Sequence, residues 1–495
     1  MIKSGQRFGV LGVILILSFT FASDCFADIK YPWRAVKAIV KNGDSLGILF
    51  DNVKSTPIDS VILVGPYNRV VLNIDSISIG RFVYDTYSKA STNNKIWVRI
   101  PGDTPEELYN LIVKSGGETS VSLKSVKTVR EFRMSHSFIH ITDTHISRQW
   151  VGEPENGYGK ELELFDNFVK VANIIAPDFV ITTGDNIHDY TRFNADSTGW
   201  GGELERGADQ LPLAEEKFAN YFDGANGLSG IHGLISPTFS IPGNHDFYGV
   251  PGDDHQAKVA QWNRLCGKRV YGFSYAGTRV LAADDFLGDP VIDIPNESPM
   301  SGLQGDILKS FLSEEGPGSV RIMAQHRHDR CDTLFINAHK INILLNGHSH
   351  TPGSEYVGET PTLISRPGVV CRSGVTNIDE ELGFFRIFRI NGSSYESSPP
   401  LRFCKDPEVN YLELDLNLTL DFERPNDGSS SSNSATINNQ LGVKLPGCKI
   451  RFVMKKGIYE VKGGQIDQVI ESGDLTVVDV RVDVENGKPA TITIS

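Results

Sequence analysis

Histidine is absent from the first 135 residues and from the last 145 of this 495-residue sequence; all twelve lie between His136 and His350. Chemistry that needs an imidazole is thereby confined to the middle of the chain. Cysteine is scarce too, with six in all and none in a CxxC pair, which excludes a thiolate metal cluster and a thioredoxin-like dithiol. Basic charge is in deficit: 48 Lys and Arg stand against 61 Asp and Glu, a formal net charge of −13. That balance argues against duplex nucleic acid or an anionic membrane surface as a partner, because no surplus of Lys and Arg exists to track phosphates. Beyond residue 27 no apolar stretch is long enough to span a bilayer. What is present is globular composition, 40% hydrophobic and 22% charged, in a chain too long for one core, so two or three domains are expected.

Residues 1–27 carry Lys3 and Arg7, an apolar run from Phe8 to about Phe21, and then small residues ending at Cys25-Phe26-Ala27. This is the layout of a secretory signal peptide cut after Ala27, and it predicts an exported protein, extracellular, periplasmic or on the cell surface. A retained N-terminal anchor is the alternative, disfavoured because the run is shorter than the ~20 residues a spanning helix needs. After cleavage Cys266, Cys331, Cys371, Cys404 and Cys448 remain, an odd number that leaves at least one thiol unpaired within the chain.

The histidine-free flanks read as β structure. From about Ile29 to Phe132, short β-branched and aromatic runs alternate with turn residues (LGILFDNV, DSVILVGP, RVVLNI, KIWVRIP, LYNLIVKSGG, TSVSLKSV), which predicts a β-sandwich over 28–134. After the SSPP at 397–400, YLELDLNLTLDF alternates Leu412, Leu414, Leu416, Leu418 and Leu420 with polar residues, the period of two of a half-buried strand. KIRFVMKK, LTVVDVRVDV and ATITIS continue the pattern beyond a DGSSSSNS loop, so a second β domain is expected over 400–495.

The middle, 135–395, alternates helix and strand instead. KELELFDNFVKVANIIAP places Leu162, Phe165, Val169 and Ala172 on one helical face before Pro177, and SGLQGDILKSFLSEEG does the same with Leu303, Ile307, Leu308, Phe311 and Leu312 behind a Ser301 N-cap. Between them lie short, nearly continuous apolar strands: HSFIHIT, DFVITT, TFSIP, VRIMA and INILLN. Buried strands alternating with helices predict an α/β core.

Each strand runs straight into polar residues: Asp143-Thr144-His145, Gly184-Asp185-Asn186, Gly243-Asn244-His245-Asp246, Gln325-His326-Arg327-His328 and Gly347-His348-Ser349-His350. Ligands of α/β sheets collect at the carboxyl ends of the strands. Five such ends would converge Asp143, His145, Asp185, Asn244, His326, His348 and His350 on one pocket. All offer oxygen or nitrogen and none a thiolate, which suits Zn, Fe or Mn rather than Ca or Cu(I). Seven groups exceed one tetrahedral site; two di- or trivalent ions sharing a carboxylate would use them, and two metals ~3.5–4 Å apart are a device for in-line displacement at phosphorus. Gly184, Gly243 and Gly347 are expected to let the backbone turn sharply where the strands end.

The order D-x-H, GD, GNHD, strand-terminal His and GHxH over about 210 residues resembles the calcineurin-like metallophosphoesterases. RVYGFSYAGTRVLAADDF, residues 269–286, is similar to the strand pair that family places after its GNHD block. The resemblance, over roughly 135–390, implies an αββα sandwich of two mixed sheets, flanked here by the two all-β domains. It further implies that Asp143, His145 and His350 hold a first metal, that Asp185 bridges, and that Asn244, His326 and His348 complete a second site. His245 would be the non-ligand imidazole that stabilises the phosphoryl oxygens and protonates the leaving alkoxide, oriented by Asp246, while a metal-bridging hydroxide attacks phosphorus in line. Within the family, purple acid phosphatases carry a Tyr three residues after the bridging Asp and lack the first-motif His; this chain has His188 there and keeps His145, so their charge-transfer colour is not expected. GDNIHD is similar to the GD-x-x-x-H-D of acid sphingomyelinases but one residue shorter, which makes His188 a candidate phosphate contact, and His328 is expected beside the substrate. The N-terminal β domain is similar to the sandwich that precedes purple acid phosphatase catalytic domains.

The competing reading is a non-catalytic exported binding or envelope protein on the same scaffold. An intact ligand set argues against it, since decay would remove at least one member. His136, His140, His232, His255 and His339 read as packing or surface residues, and Asp284 and Asp285 as a turn near the second sheet. The Gly- and aromatic-rich stretch 190–233 is expected to line the pocket mouth. Its few basic residues disfavour a large polyanion, leaving a small phosphate mono- or diester as substrate, with the β domains available for contact with the cell envelope or glycans.

Overall fold

The computed structural model describes residues 28–52, 55–86, 89–146, 158–188, 192–193, 204–205, 210–248, 255–286, 300, 302–315, 318, 320–327, 332–357, 362–367, 383–405 and 416–495. The leader 1–27, Ser301, His328, Cys331, Cys371, Leu412 and Leu414 therefore lie outside the described residues. Among those described, no helix is long and apolar enough to cross a membrane.

At the N-terminus eight strands form one continuous sheet in the order Asp28–Tyr31, Ser45–Asp51, Ala90–Arg99, Arg69–Asp85, Ile58–Val64, Leu108–Ser115, Glu118–Val129, Ala38–Lys41. The 17-residue strand Arg69–Asp85 pairs with Ile58–Val64 through its start and with Ala90–Arg99 through the rest, so it belongs to both halves of the sheet. Ile48, Phe50, Ile96 and Val98 of one half meet Val61, Leu63, Leu111 and Val113 of the other in a single core. Two of the eight strands, Asp28–Tyr31 and Ala38–Lys41, have only four residues, too few for an alternating pattern to stand out.

Two six-stranded sheets make the centre. One runs Thr238–Ile241, Phe179–Thr183, Ser135–Ile141, Phe384–Asn391, Ser394–Ser397, with Leu401–Arg402 also paired to Phe384–Asn391; the other runs Tyr271–Tyr275, Thr278–Ala282, Val320–Ala324, Ile343–Leu345, Thr362–Arg366, Gly353–Val357. In the second sheet the four inner strands are parallel and both edges antiparallel; in the first, Thr238–Ile241, Phe179–Thr183 and Ser135–Ile141 are parallel, while Phe384–Asn391 and Ser394–Ser397 pair antiparallel, so both sheets are mixed as expected. Facing sides interleave Phe138, Phe179, Ile181 and Ile241 with Val280, Ile322, Ile343 and Leu345. Helices Tyr158–Ile175 and Gln210–Asp223 cover the outside of the first sheet, and Gly302–Glu315 and Thr333–Ala338 the outside of the second. The layers are helix, sheet, sheet, helix. Buried strands with apolar residues on both faces are what such layering requires.

One expectation changes here. Within 190–233, helix Gln210–Asp223 packs Ala214, Phe218, Tyr221 and Phe222 into the core against Phe165 and Phe168, so that part of the stretch is structural and not pocket rim. Its apolar residues recur at helical spacing, a signal diluted in the sequence by the surrounding glycines.

Beyond residue 416 a four-stranded sheet (Leu418–Phe422, Asn433–Asn439, Ala490–Ile494, Val461–Lys462) faces a three-stranded one (Leu445–Lys455, Leu475–Val484, Gln465–Ser472). Ile437, Ile450, Phe452, Val478 and Ile492 fill the space between and continue without a break into the core beneath helix Tyr158–Ile175. The two flanking regions also touch each other. Arg451 bonds both Glu107 and Asp479, Arg130 Nη2 lies 2.7 Å from Asp467 Oδ1, and Gln468 Oε1 accepts from Glu106 N at 2.9 Å.

Candidate metal centre

Five parallel strands deliver the polar groups. Ser135–Ile141, Phe179–Thr183 and Thr238–Ile241 of the first sheet lead to Asp143 and His145, Asp185, and Asn244; Val320–Ala324 and Ile343–Leu345 of the second lead to His326, and to His348 and His350. Beyond the strands the loops stay bonded to each other, Asp143 N to Gly184 O at 3.1 Å, His145 N to Asp185 O at 2.9 Å and Gly347 N to His326 O at 2.8 Å. Five of the seven expected ligands hold left-handed backbone: Asp143 (φ 52), His145 (44), Asp185 (50), His348 (68) and His350 (56). Each such turn costs an L-residue about 1–2 kcal/mol, and such strain gathers where function fixes a side chain.

The glycines serve in two different ways. Gly184 has φ 90, as expected of a sharp turn. Gly243 and Gly347 have no positive φ and are there for space: a Cβ would stand 2.3 Å from Asp185 Oδ1 at Gly243 and 1.9 Å from Thr142 Oγ1 at Gly347.

Two clusters form around one carboxylate. In the first, His350 Nε2 is 3.3 Å from Asp143 Oδ1 and 3.3 Å from His145 Nε2, which in turn is 3.7 Å from Asp143 Oδ1 and 3.7 Å from Asp185 Oδ2. In the second, His326 Nε2 is 3.1 Å from Asp185 Oδ2 and 3.1 Å from Asn244 Oδ1, with His348 within the same group. Asp143, His145, Asp185 and His326 are at most 2% exposed. Among the described residues no donor is well aligned on the buried Asp185 Oδ2 atom, though imidazole nitrogens of both clusters surround it. Carboxylate and imidazole lone pairs aimed at common points, with no thiolate, fit a pair of borderline di- or trivalent ions.

Protonation follows burial and charge. Burial holds His145 and His348 down to about 4, so both imidazoles are neutral at pH 7, the form that ligates. Burial alone would depress His326, but the Asp185 carboxylate, with Asp143 and Asp285, lifts it to about 10. Burial would likewise raise Asp143 and Asp185, yet the surrounding imidazoles hold both well below the usual carboxylate range. Thr183 O lies 2.7 Å from His326 Nδ1 and accepts its proton, which aims Nε2 at Asp185 and Asn244.

Asp246 differs from expectation. Its carboxylate does not orient the His245 ring; it accepts hydrogen bonds from Asn186 N (3.0 Å), Ile187 N (3.1 Å), Gly243 N (2.8 Å) and Asn186 Nδ2 (2.9 Å). Asp246 thus clamps the loop after Asp185 to the loop carrying Asn244. His245 is tied through its backbone N to Asp185 Oδ1 at 2.9 Å, and its ring stands edge-on to His145 (4.8 Å) and nearly parallel to His188 (4.6 Å). His188 is buried, with Nδ1 3.2 Å from His145 Nδ1. The His328 expectation falls outside the described residues.

Two contributors escaped the sequence reading. Asn186, directly after the bridging carboxylate, bonds Ile241 O and Asp246 through its amide, and its place inside GDN was the available signal. Asp285 accepts from Arg327 N and so holds the loop of His326; nothing in its local sequence separates it from Asp284, which pairs with buried Arg269. His136, His140 and His232 are packed inside, His140 Nε2 against Thr183 Oγ1 at 2.8 Å and His136 Nε2 against Thr278 Oγ1 at 3.0 Å.

Residues 136–352 match the calcineurin-like phosphoesterase family. No curated protein matches the chain. Among solved structures, the chain is similar to a dimetal phosphatase from Danio rerio (12% identity, 53% of this chain and 98% of that one, TM-score 0.32). It is similar also to a predicted phosphoesterase from Streptococcus pneumoniae (14%, 53% and 87%, TM-score 0.22) and to an anchor protein of the inner membrane complex of Plasmodium (13%, 57% and 89%, TM-score 0.33).

Proposed function

Since residues 136–352 form a calcineurin-like phosphoesterase domain, we propose that this protein is an exported, metal-dependent phosphoric ester hydrolase acting on small phosphate mono- or diesters. The observation that carries this reading is the single Asp185 Oδ2 atom, shared between His145 of one cluster and His326 of the other. Asp143, His145 and His350 would hold one ion, Asn244, His326 and His348 the other, and Asp185 both. Bound there, two Zn, Fe or Mn ions would supply the positive charge that an acidic chain otherwise lacks and make a water acidic enough to attack phosphorus near neutral pH.

The chain's own residues do the rest. Thr183 O and the Asp143 carboxylate set the aim of His326 and the position of His348, whose N donates to Asp143 Oδ2 at 3.1 Å. His245 is not one of the seven expected ligands, though with His145 and His188 it makes a third close group of imidazoles; its half-buried ring stands against His145, where an imidazole can give a proton to the departing alkoxide. Export rests on the sequence of residues 1–27 alone.

Elemental analysis combined with hydrolysis assays tests the proposal. Asn244→Ala and His350→Ala should each lose metal and hydrolysis of aryl phosphate while the far-ultraviolet circular dichroism stays that of the parent. A stripped protein with less than one ion per chain and undiminished turnover would overturn the mechanism. A panel of mono- and diesters then assigns the substrate class.

A further inference from the structure

Where the N-terminal β region abuts the centre, a groove of about 460 Å³ runs along strands Ala38–Lys41 and Ser45–Asp51. Three aromatic rings line it, Tyr31, Trp97 and Phe132, and so do three lysines, Lys41, Lys95 and Lys268. The Trp97 indole lies flat on Gly47, where a Cβ would come to 3.0 Å of the ring, so its plane is fixed by the strand beneath. Lys95 Nζ stands 4.4 Å from the centroid of Trp97 and Lys268 Nζ 5.8 Å from that of Tyr31.

Among the described residues none of the three lysines forms an ion pair, and Asp44 is the lone carboxylate in the lining. Lys268 is half-buried, and that burial pulls its ammonium below the usual lysine range. Three lysines gathered around one lining carboxylate, with Asp85 acting on Lys268 from behind, leave a surplus of positive charge that suits an anion from outside, and the aromatic walls suit a flat, weakly polar body. The volume is that of a small-ligand site. A nucleic acid strand would need a basic track extending past the groove, and the chain as a whole is acidic.

We propose that this groove is a second binding site, for a sugar ring that carries an anionic group. The aromatic rings would take the C–H face of the ring and the lysines its charge. The assignment is independent of the metal centre.

Calorimetric titration of the full chain with trigalacturonate, neutral maltotriose, inorganic phosphate and a thymidine octanucleotide tests it. Trigalacturonate should bind at least tenfold more tightly than each of the others. The double variant Lys95→Gln/Lys268→Gln should lose that affinity at least tenfold with aryl phosphate hydrolysis unchanged. Galacturonate monomer tells a single-ring site from a polysaccharide site: equal affinity indicates the first, stronger binding of the trimer the second. No trigalacturonate binding, parity with maltotriose or phosphate, tighter binding of the oligonucleotide, or full affinity in the double variant would each overturn it.

Discussion

The contact between His188 Nδ1 and His145 Nδ1 at 3.2 Å constrains the tautomers of both rings. If His145 gives its Nε2 lone pair to a cation, its proton sits on Nδ1 and is donated, so His188 Nδ1 must accept. His188 then acts through His145 and is a positioning residue. Replacing it by Asn keeps an acceptor in about the same place, whereas Ala removes it. Competition with a chromophoric chelator should find metal affinity reduced about 10–100-fold in His188→Ala, the usual worth of such a partner, and largely restored in His188→Asn. Equal affinity in the wild type and both variants would leave His188 with the substrate role suggested by its place in GDNIHD.

Among the elements, strand Ser135–Ile141 carries the most: it ends in two ligands and lies in the middle of its sheet. Phe138 stacks on Phe179 (5.1 Å) and Phe388 (4.7 Å) between the two sheets and is fully buried. Phe138→Ala should therefore cost about 3–5 kcal/mol in denaturant unfolding. Ile458→Ala, at a fully exposed side chain, should stay within about 0.5 kcal/mol. These central strands were legible in the sequence because both of their faces are apolar, and so were the ligands, because each follows its strand within a few residues. Asp246 was legible as a site residue but not in its role, because its partners Asn186 and Ile187 lie some 60 residues away in the chain. Asp285 was hidden for a related reason, since only its three-dimensional neighbours distinguish it from Asp284, whereas helix Gln210–Asp223 was hidden because the glycines around it dilute its helical spacing.

At the scale of the whole molecule, the flanking β regions are clasped by buried charge. Asp479, fully buried, accepts from Arg451 Nε and Nη2 at 2.7 Å each and from Gln468 Nε2 at 2.7 Å, with Lys449 Nζ 2.6 Å away. Burial would raise its carboxyl, but these cations hold it well below the usual carboxylate range. A depressed folded-state value gives stability that is complete above the unfolded value of about 3.9 and is lost as pH falls below it. The midpoint of thermal unfolding should thus fall from about pH 4 downward. Asp479→Asn should be less stable at neutral pH and flatter across that acid window; a parallel decline in both proteins would remove the clasp from the account of acid sensitivity.

The clasp also has a bearing on time. Arg451 and Glu107 are separated by 344 residues, so the bond between them can form only after the whole intervening segment has been made. A polypeptide that emerges N-terminus first leaves Glu106 and Glu107 without Gln468 and Arg451 until the strands that carry those two residues have been made. Closing so long a loop is slow compared with pairing neighbouring strands. The early β region stands meanwhile on its own eight-stranded core, and strand Leu445–Lys455 is the latch that joins it to the later β region.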